Sequence, residues 1–391
     1  MTPTPSSAHR LFFLDWLRIL ALAGLIIYHV GMYYVSWDFH VKSPFAGPGL
    51  EPWMKLSEPW RMSLLFMVSG AATATMLKSG TSFIFIRRRS ARLLLPLLFG
   101  VVLIVPPQSY FEVVQKWSYT GDYFDFLRLY FSGNRSFCRH SDCLVLPTWN
   151  HLWFLPYLWS YSLLTCGVLA LWPLALLKLC RCFEVAFRGV GLMVLPVVFL
   201  LVTRLALFAH FPSTHALLDD WFNHATYLFT FVVGGVFAVS HQFWARLAAI
   251  RWFALVMAIA FWTVLVFVRP AKPLEHLVIA TYQWSALVAA FGFAKTHLNC
   301  DSPLRHRLTE AVFPVYILHQ TILIMASQAL LPFQLLTVVE GPLLILITFA
   351  LSFAGHVWAA RFKFLRPWLG LKQVRTSQPE HPLQGHNPRP S

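Results

Sequence analysis

The first long apolar stretch of the chain carries three side chains that could take part in acid–base chemistry. Asp15, Arg18 and His29 interrupt residues 12–35, which are otherwise rich in Leu, Ile and Ala. At about 100° per residue, Arg18 and His29 fall within about 20° of each other on a helix, and Asp15 lies about 40° from His29. Imidazole is the side chain best suited to take a proton from a hydroxyl near neutral pH. The pattern predicts His29 as a general base, with a histidine bonded to a carbonyl as the alternative.

This polar face also extends along the helix. The helical rise puts His29 about 16 Å beyond Arg18. Because a charge at mid-bilayer costs about 2.5 to 3.5 kcal/mol, polar side chains on one stripe are expected to face protein or a wet cavity. The alternative is that Asp15 and Arg18 pair at one membrane edge while His29 reaches the other.

A hydroxyl lies near the middle of the second apolar stretch, in Phe66–Gly70. Ser69 is a candidate to line the same cavity, and an acyl-enzyme formed on Ser69 or His29 is an alternative to direct transfer. Ser-Gly pairs are also frequent where membrane helices cross closely. Both interpretations of Ser69 remain open, although the flanking glycines of a nucleophile elbow are missing.

The densest positive run of the chain is Arg87-Arg88-Arg89-Ser90-Ala91-Arg92. Such a run is typical of a cytoplasmic loop that sets membrane topology. Guanidinium groups also bind phosphates through charge-assisted hydrogen bonds. Arg89 and Arg92 are therefore candidate ligands for the phosphates of a soluble cofactor.

Two further apolar stretches carry histidines. His151 opens residues 150–173 beside Trp153, where membrane-interface aromatics serve as anchors, and the topology puts it at the depth of His29. Tyr316 and His319 share a face at i and i+3 in residues 309–331. These four side chains are candidates for the acceptor side of a site, with interfacial anchoring and helix-to-helix hydrogen bonding as the alternatives.

The composition indicates that membrane-spanning helices position these residues. The 391 residues are 57% hydrophobic and only 12% charged, against roughly 25% charged in soluble domains. The net charge of +15 lies in short loops, which argues against nucleic acid as a partner. An all-α, multi-pass membrane protein is predicted, with ten spans at about residues 12–35, 60–78, 93–107, 150–173, 189–209, 221–240, 252–268, 276–294, 309–331 and 341–360. The third span is short, so it either starts earlier, near Phe83, or tilts little and snorkels its basic flank.

Charge asymmetry predicts the orientation. Of 31 Lys and Arg residues, twenty fall in loops on the side of the N-terminus and nine in the opposite loops, so both termini are predicted to be cytoplasmic. Residues 1–9 form a short polar tail, residues 10–368 the transmembrane domain, and residues 369–391 a tail predicted to be disordered.

The cysteines and the longest outer loop give three smaller predictions. Cys138 and Cys143 share the loop 108–150 on the oxidising side, where they form either a disulfide or two free thiols. Neither Cys spacing matches a zinc site, so no metal is predicted. Residues 121–127 are aromatic-rich and predict a short interfacial helix.

Taken in order, these motifs resemble the acyltransferase 3 family of ten-helix membrane acyltransferases, and within it the branch of glucan biosynthesis protein C. The family resemblance covers residues 10–361, and the branch is indicated mainly by His151-Leu152-Trp153-Phe154-Leu155. The other matching motifs are Leu14-Asp15-Trp16-Leu17-Arg18 followed by His29, Phe66 to Gly70, Arg89 and Arg92 before Leu93-Leu94-Leu95-Pro96, and Tyr316 to Gln320.

The resemblance implies transfer of an acetyl or succinyl group from cytoplasmic acyl-coenzyme A to a sugar hydroxyl on the far side of a bacterial inner membrane. It implies that His29 is the base, that Arg18 orients the donor, and that Arg89 and Arg92 meet its phosphates. Acyl-coenzyme A would be a co-substrate, no cofactor would be bound permanently, and the partners would be an extracytoplasmic glycan, the lipid bilayer and other glycan-synthesis proteins. The alternative from another class is a transporter or flippase for a glycan or a lipid-linked intermediate.

Overall fold

The computed structural model describes residues 11–77, 82–139 and 142–372. These residues form fifteen α-helices and one pair of two-residue antiparallel strands, β1 (Cys138–Arg139) and β2 (Asp142–Cys143). The helices are α1 (Phe12–Tyr34), α2 (Glu51–Met54), α3 (Glu58–Leu77), α4 (Ser82–Phe99), α5 (Pro106–Trp117), α6 (Tyr123–Phe131), α7 (Phe154–Leu171), α8 (Ala175–Ala186), α9 (Gly191–Leu207), α10 (Trp221–Val239), α11 (His241–Ala249), α12 (Arg251–Thr263), α13 (Lys272–His297), α14 (Pro303–Leu330) and α15 (Thr337–Ala360).

The all-α membrane architecture is confirmed. In the described residues, seven helices are long and apolar enough to cross a bilayer, and the number rises to nine if each of two bent helix pairs is one span. The remaining predicted span corresponds to α3, which has 20 residues, a length of about 30 Å. Its Glu58, Arg61 and buried hydroxyl side chains make α3 too polar to count by composition, and its neighbours in the bundle bury it.

For the third predicted span, 93–107, the alternative of an earlier start near Phe83 is confirmed. Helix α4 begins at Ser82 and continues through a π-helical turn at Gly100–Ile104. The chain then bends by 44° into α5. Pro106 and Pro107 explain the bend, since neither offers a backbone N–H to continue the ladder.

Helices α3 and α10 cross at backbone contact. A Cβ atom on Gly70 would lie 1.8 Å from the carbonyl oxygen of Phe231, and one on Gly234 would lie 1.8 Å from that of Met67. Only glycine fits at such a crossing. The alternative interpretation of the Ser-Gly pair, a close helix crossing, is therefore confirmed for Gly70.

The loop after α5 contains the predicted short helix, which is α6, capped by the Asp122 side chain on the Asp125 amide. Cys138 and Cys143 are joined by a disulfide. At the other end of the chain, Leu369 and Leu371 are buried, so ordered packing continues past the predicted boundary at residue 368. The rest of the predicted tail, 373–391, and the N-terminal tail, 1–9, lie outside the described residues.

Candidate functional site

Three histidines from three helical segments meet at one end of the bundle. The Nδ1 atom of His29 on α1 lies 2.9 Å from Nε2 of His319 on α14. The rings of His319 and His151 are 5.1 Å apart between centroids and perpendicular. The side of the bundle that holds His29, His151 and His319 is called the histidine end below.

Hydrogen bonds fix which nitrogen of each imidazole carries its proton. The Nδ1 atom of His319 lies 2.6 Å from the carbonyl oxygen of Tyr316, and a carbonyl only accepts, so His319 Nδ1 donates. The Nε2 atom of a neutral His319 is then an acceptor, and His29 must donate to it from Nδ1. This leaves a lone pair on His29 Nε2, which makes no hydrogen bond with a described residue.

His29 is half-buried, so this lone pair is not sealed in the core. The ring of Phe39, in the segment after α1, stacks over His29 with centroids 6.1 Å apart. A half-buried imidazole with one nitrogen held and the other free is the arrangement that a general base requires.

His151 differs because both of its nitrogens are engaged. Its Nε2 lies 3.0 Å from the carbonyl oxygen of Ile317 and donates to it, so Nδ1 accepts from the Gln108 amide at 3.4 Å. The Tyr316 hydroxyl donates to the carbonyl oxygen of His151 at 2.6 Å. His151 and Tyr316 therefore join the 3-10 turn Asn150–Trp153 to α14, and they support the histidine end rather than offering free groups.

Gln108 is the centre of a neutral network that sequence reasoning missed. Its amide donates to the Thr321 hydroxyl at 2.6 Å, and its carbonyl oxygen accepts from Asn150 at 3.2 Å and from Gln320 at 3.1 Å. Thr321 in turn donates to the carbonyl oxygen of Ile104, which lies in the π-helical turn. The signal available in the sequence was a glutamine directly after Pro106-Pro107, at the end of an apolar stretch.

The opposite end of α1 holds charges instead. Arg305 on α14, with no exposed surface, forms an ion pair with the buried Asp15. Ser302 caps α14 by accepting from the Arg305 amide, and Pro303 occupies the first turn, so the cap places Arg305 where α14 meets α1. Arg305 also binds Asp301 at 2.7 Å, and these hydrogen bonds lower the pKa of the Asp301 carboxyl.

Arg18, Arg89 and Arg92 converge at this end of the bundle, which is called the arginine end below. The charges of Arg18 and Arg92 repel each other, and Arg89 is repelled by both. Arg18 retains partial exposure and lies 3.7 Å from Asp15, while Arg92 is exposed. The Nε atom of Arg89 donates to the Ser162 hydroxyl on α7 at 3.2 Å. Three guanidinium groups with one nearby carboxylate form a site suited to a polyanion.

Apolar side chains separate the two ends. Leu22, Leu25 and Ile26 lie on the face of α1 between Arg18 and His29, and all three are buried. They belong to a core cluster that includes Leu93 and Val315. The polar face of α1 is therefore interrupted by a packed apolar layer at its centre.

The remaining candidates do not reach His29. Asp15, proposed as catalytic, lies about 21 Å from His29 along α1 and pairs with Arg305. Ser69 is buried beside the α3–α10 crossing. Trp153 is not an exposed anchor, because it is buried and stacks on His215 with centroids 4.2 Å apart. Among the described residues, no three His, Cys, Asp or Glu side chains are grouped to hold a metal ion.

Comparison with known families decides the class of protein. The acyltransferase 3 family model, an acyltransferase domain, matches residues 11–357. The chain belongs to the acyltransferase 3 family. This match spans both ends of α1 and every helix from α1 to α14, so the arginine end and the histidine end both lie within the acyltransferase domain. No curated protein and no solved structure matches the chain.

Proposed function

We propose that this membrane acyltransferase moves an acetyl or succinyl group from cytoplasmic acyl-coenzyme A to a hydroxyl of an extracytoplasmic glycan, with His29 as the general base. One observation carries the proposal: the hydrogen-bonded chain from Tyr316 through His319 holds His29 Nδ1 and leaves its Nε2 lone pair free. The glucan biosynthesis protein C branch and a bacterial inner membrane belong to this proposal.

In the proposed reaction, His29 Nε2 takes the proton of the acceptor hydroxyl while the oxygen attacks the thioester carbonyl. The carbon–sulfur bond breaks, and the leaving thiolate takes a proton from the His29 imidazolium. His319 stays neutral and accepts from His29 Nδ1 throughout, so it keeps the ring oriented and stabilises the transient positive charge. Direct transfer needs no acyl-enzyme.

The donor spans the apolar layer. Its nucleotide phosphates dock on Arg18, Arg89 and Arg92 at the arginine end, which faces the cytoplasm in this proposal. Its pantetheine arm passes along α1 and parts the side chains of Leu25 and Ile26 to bring the thioester to His29. Separate binding of phosphates and reacting carbon gives the orientation on which such catalysis depends.

A membrane assay tests the proposal. Reconstituted protein supplied with labelled acyl-coenzyme A is expected to release free thiol only when an acceptor glycan is present. His29→Gln is expected to lower that rate by a factor of about 10² to 10⁴, while His306→Gln, an exposed histidine on α14, leaves it unchanged. Glycan movement without thiol release would instead identify a transporter or flippase.

A further inference from the structure

A second polar group lies beside His29 and has no role in the mechanism above. Arg61 is only 9% exposed, and its guanidinium stacks over the ring of Tyr28 at 3.5 Å from the centroid. Its hydrogen bond to the Ser57 hydroxyl is long, 3.4 Å, and its Nε makes none within the described chain. No described carboxylate, Glu58 one turn away included, pairs with it.

Such an arrangement leaves a charge without compensation. Burying a guanidinium away from water costs more free energy than one cation–π contact returns. Buried charges in proteins are normally paired with an opposite charge. Arg61 is therefore expected to have an anionic partner, and none is found among the described residues of this chain.

Arg61 also lines a cavity of about 420 Å³ between α1, α3 and α13. The cavity is a groove on the surface of the bundle, since Leu20 in its wall is 52% exposed. It runs from Arg61 at the histidine end to Leu298, just after the end of α13. The last turns of α13 lie near the start of α1, since the Lys295 Nζ atom is 5.6 Å from the centroid of the Phe13 ring. Ten of the thirteen described lining residues are apolar, and Arg61 is the charged one.

We propose that this groove binds a single-chain lipid phosphate, with the phosphate on Arg61 and the hydrocarbon chain along the apolar wall. The groove's volume of about 420 Å³ suits one hydrocarbon chain better than two, and its single guanidinium matches one phosphate group in charge. A sugar carried on that phosphate would lie next to His29, because the ring of Tyr28 beneath Arg61 lies 6.0 Å from the ring of His29 between centroids. The acceptor of the proposed acyl transfer is then a lipid-linked sugar; this last step rests on the proposed function, whereas the binding itself does not.

Farnesyl phosphate and its alcohol farnesol are suitable probes, with binding measured by native mass spectrometry from phosphatidylcholine nanodiscs. The wild-type chain is expected to bind the phosphate at least about tenfold more tightly than the alcohol, as a charge-assisted hydrogen bond allows. Arg61→Gln is expected to abolish that preference, and Arg61→Lys to keep part of it. Arg204→Gln is the matched control, since Arg204 also stacks on aromatic rings, those of Phe208 and Phe222, but does not line the groove.

A second pair of variants tests the groove itself. A Cβ atom on Gly24, which lines the groove, would meet nothing within 4 Å, and neither would one on Gly167 of α7, which does not. Gly24→Leu is expected to weaken binding of both probes by about tenfold, while Gly167→Leu leaves both unchanged. This pair keeps the proposal testable if Arg61→Gln fails to fold.

Three outcomes would overturn the assignment: an unchanged phosphate preference in Arg61→Gln, unchanged binding in Gly24→Leu, or displacement of farnesyl phosphate by equimolar phosphatidylglycerol, which would identify a two-chain phospholipid as the occupant. No acyl donor is present in these measurements. Tight farnesyl phosphate binding by a chain that never releases thiol from acyl-coenzyme A would therefore reject the proposed transfer and keep the lipid site.

Discussion

At the arginine end of α1 charged groups face one another, whereas at the histidine end the three imidazoles and the Gln108 amide form a neutral hydrogen-bonded network. Arg305 and Asp15 form a buried ion pair, and three more guanidinium groups lie nearby with partial exposure. At the histidine end Gln108 has every amide group occupied, and His151 and His319 use both ring nitrogens.

The difference separates two tasks. Binding of a polyanion relieves the repulsion between neighbouring guanidinium groups. Their electrostatic contribution to affinity is long in range and is screened by salt. A neutral network exerts no such attraction, but it holds one imidazole in one tautomer with its lone pair free. Binding of the acyl donor is therefore expected to depend on the arginine end and the chemical step on the histidine end.

The largest expected effect is on stability at the arginine end. Arg305→Met removes the buried partner of Asp15 and is expected to lower the free energy of unfolding by about 3 kcal/mol, the lower end for a broken buried pair. The lower end applies because Arg18 still lies 3.7 Å from Asp15. Unfolding of the detergent-solubilised protein by increasing denaturing detergent measures the change.

The control for this prediction replaces both partners. Asp15→Leu combined with Arg305→Met is expected to recover most of the lost stability, since a well-packed apolar pair is often as stable as a buried ion pair. The same double variant is expected to keep turnover within a few-fold, because Asp15 is far from His29. A double variant that is stable but inactive would restore a catalytic role to Asp15.

The next effect is at the histidine end, where His319 is a positioning residue. His319→Phe keeps the ring and removes the acceptor for His29 Nδ1, so kcat is expected to fall by about 10² with little change in KM for the donor. His319→Gln offers a carbonyl oxygen as acceptor and is expected to recover about tenfold of this loss. Equal loss in both variants would show that His319 contributes only packing.

Donor binding gives a smaller effect at the arginine end. Arg92→Gln is expected to raise KM for acyl-coenzyme A by about tenfold at unchanged kcat, since one charge-assisted phosphate contact is lost. The same variant is expected to leave KM for acyl-pantetheine, which has no phosphate, unchanged. Arg87→Gln, on another face of α4, is the control, and a change in kcat would contradict the division of tasks.

How much of this comparison the sequence reveals depends on whether partners share a helix. Helical periodicity predicts that Arg18 and His29 share one face of α1, because both residues belong to the same helix. The sequence also indicated that His29 and His151 lie at equal depth, but only packing brings His319 between them. Equal depth is fixed by topology, whereas side-by-side contact depends on the order of helices in the bundle.

Contacts between distant parts of the chain account for most of what the sequence did not predict. The sequence pairs Asp15 with Arg18 three residues away, and the two lie 3.7 Å apart, but it does not reveal the second, fully buried partner Arg305, 290 positions along the chain. Trp153 was predicted as an interfacial anchor, but it is buried. The sequence does not separate the two environments, because interfacial Trp belts and buried aromatic clusters have the same composition. Gln108 could not be predicted as a network centre, because an isolated amide has no periodic pattern.

The smallest expected effect concerns Ser69, and it tests whether the chemical step is confined to the histidine end. Ser69 is buried next to Gly70, where α3 and α10 cross at backbone contact, and no hydrogen bond joins it to the three described histidines. Its removal takes away neither a base nor an oriented nucleophile. Ser69→Ala is therefore expected to change kcat by less than about twofold and to leave the fold intact, since alanine is smaller and fits the crossing. Single-turnover kinetics with labelled donor give the measurement: a burst of label on the wild-type protein that disappears in Ser69→Ala would show an acyl-enzyme on α3, and the chemistry would then extend beyond the histidine end.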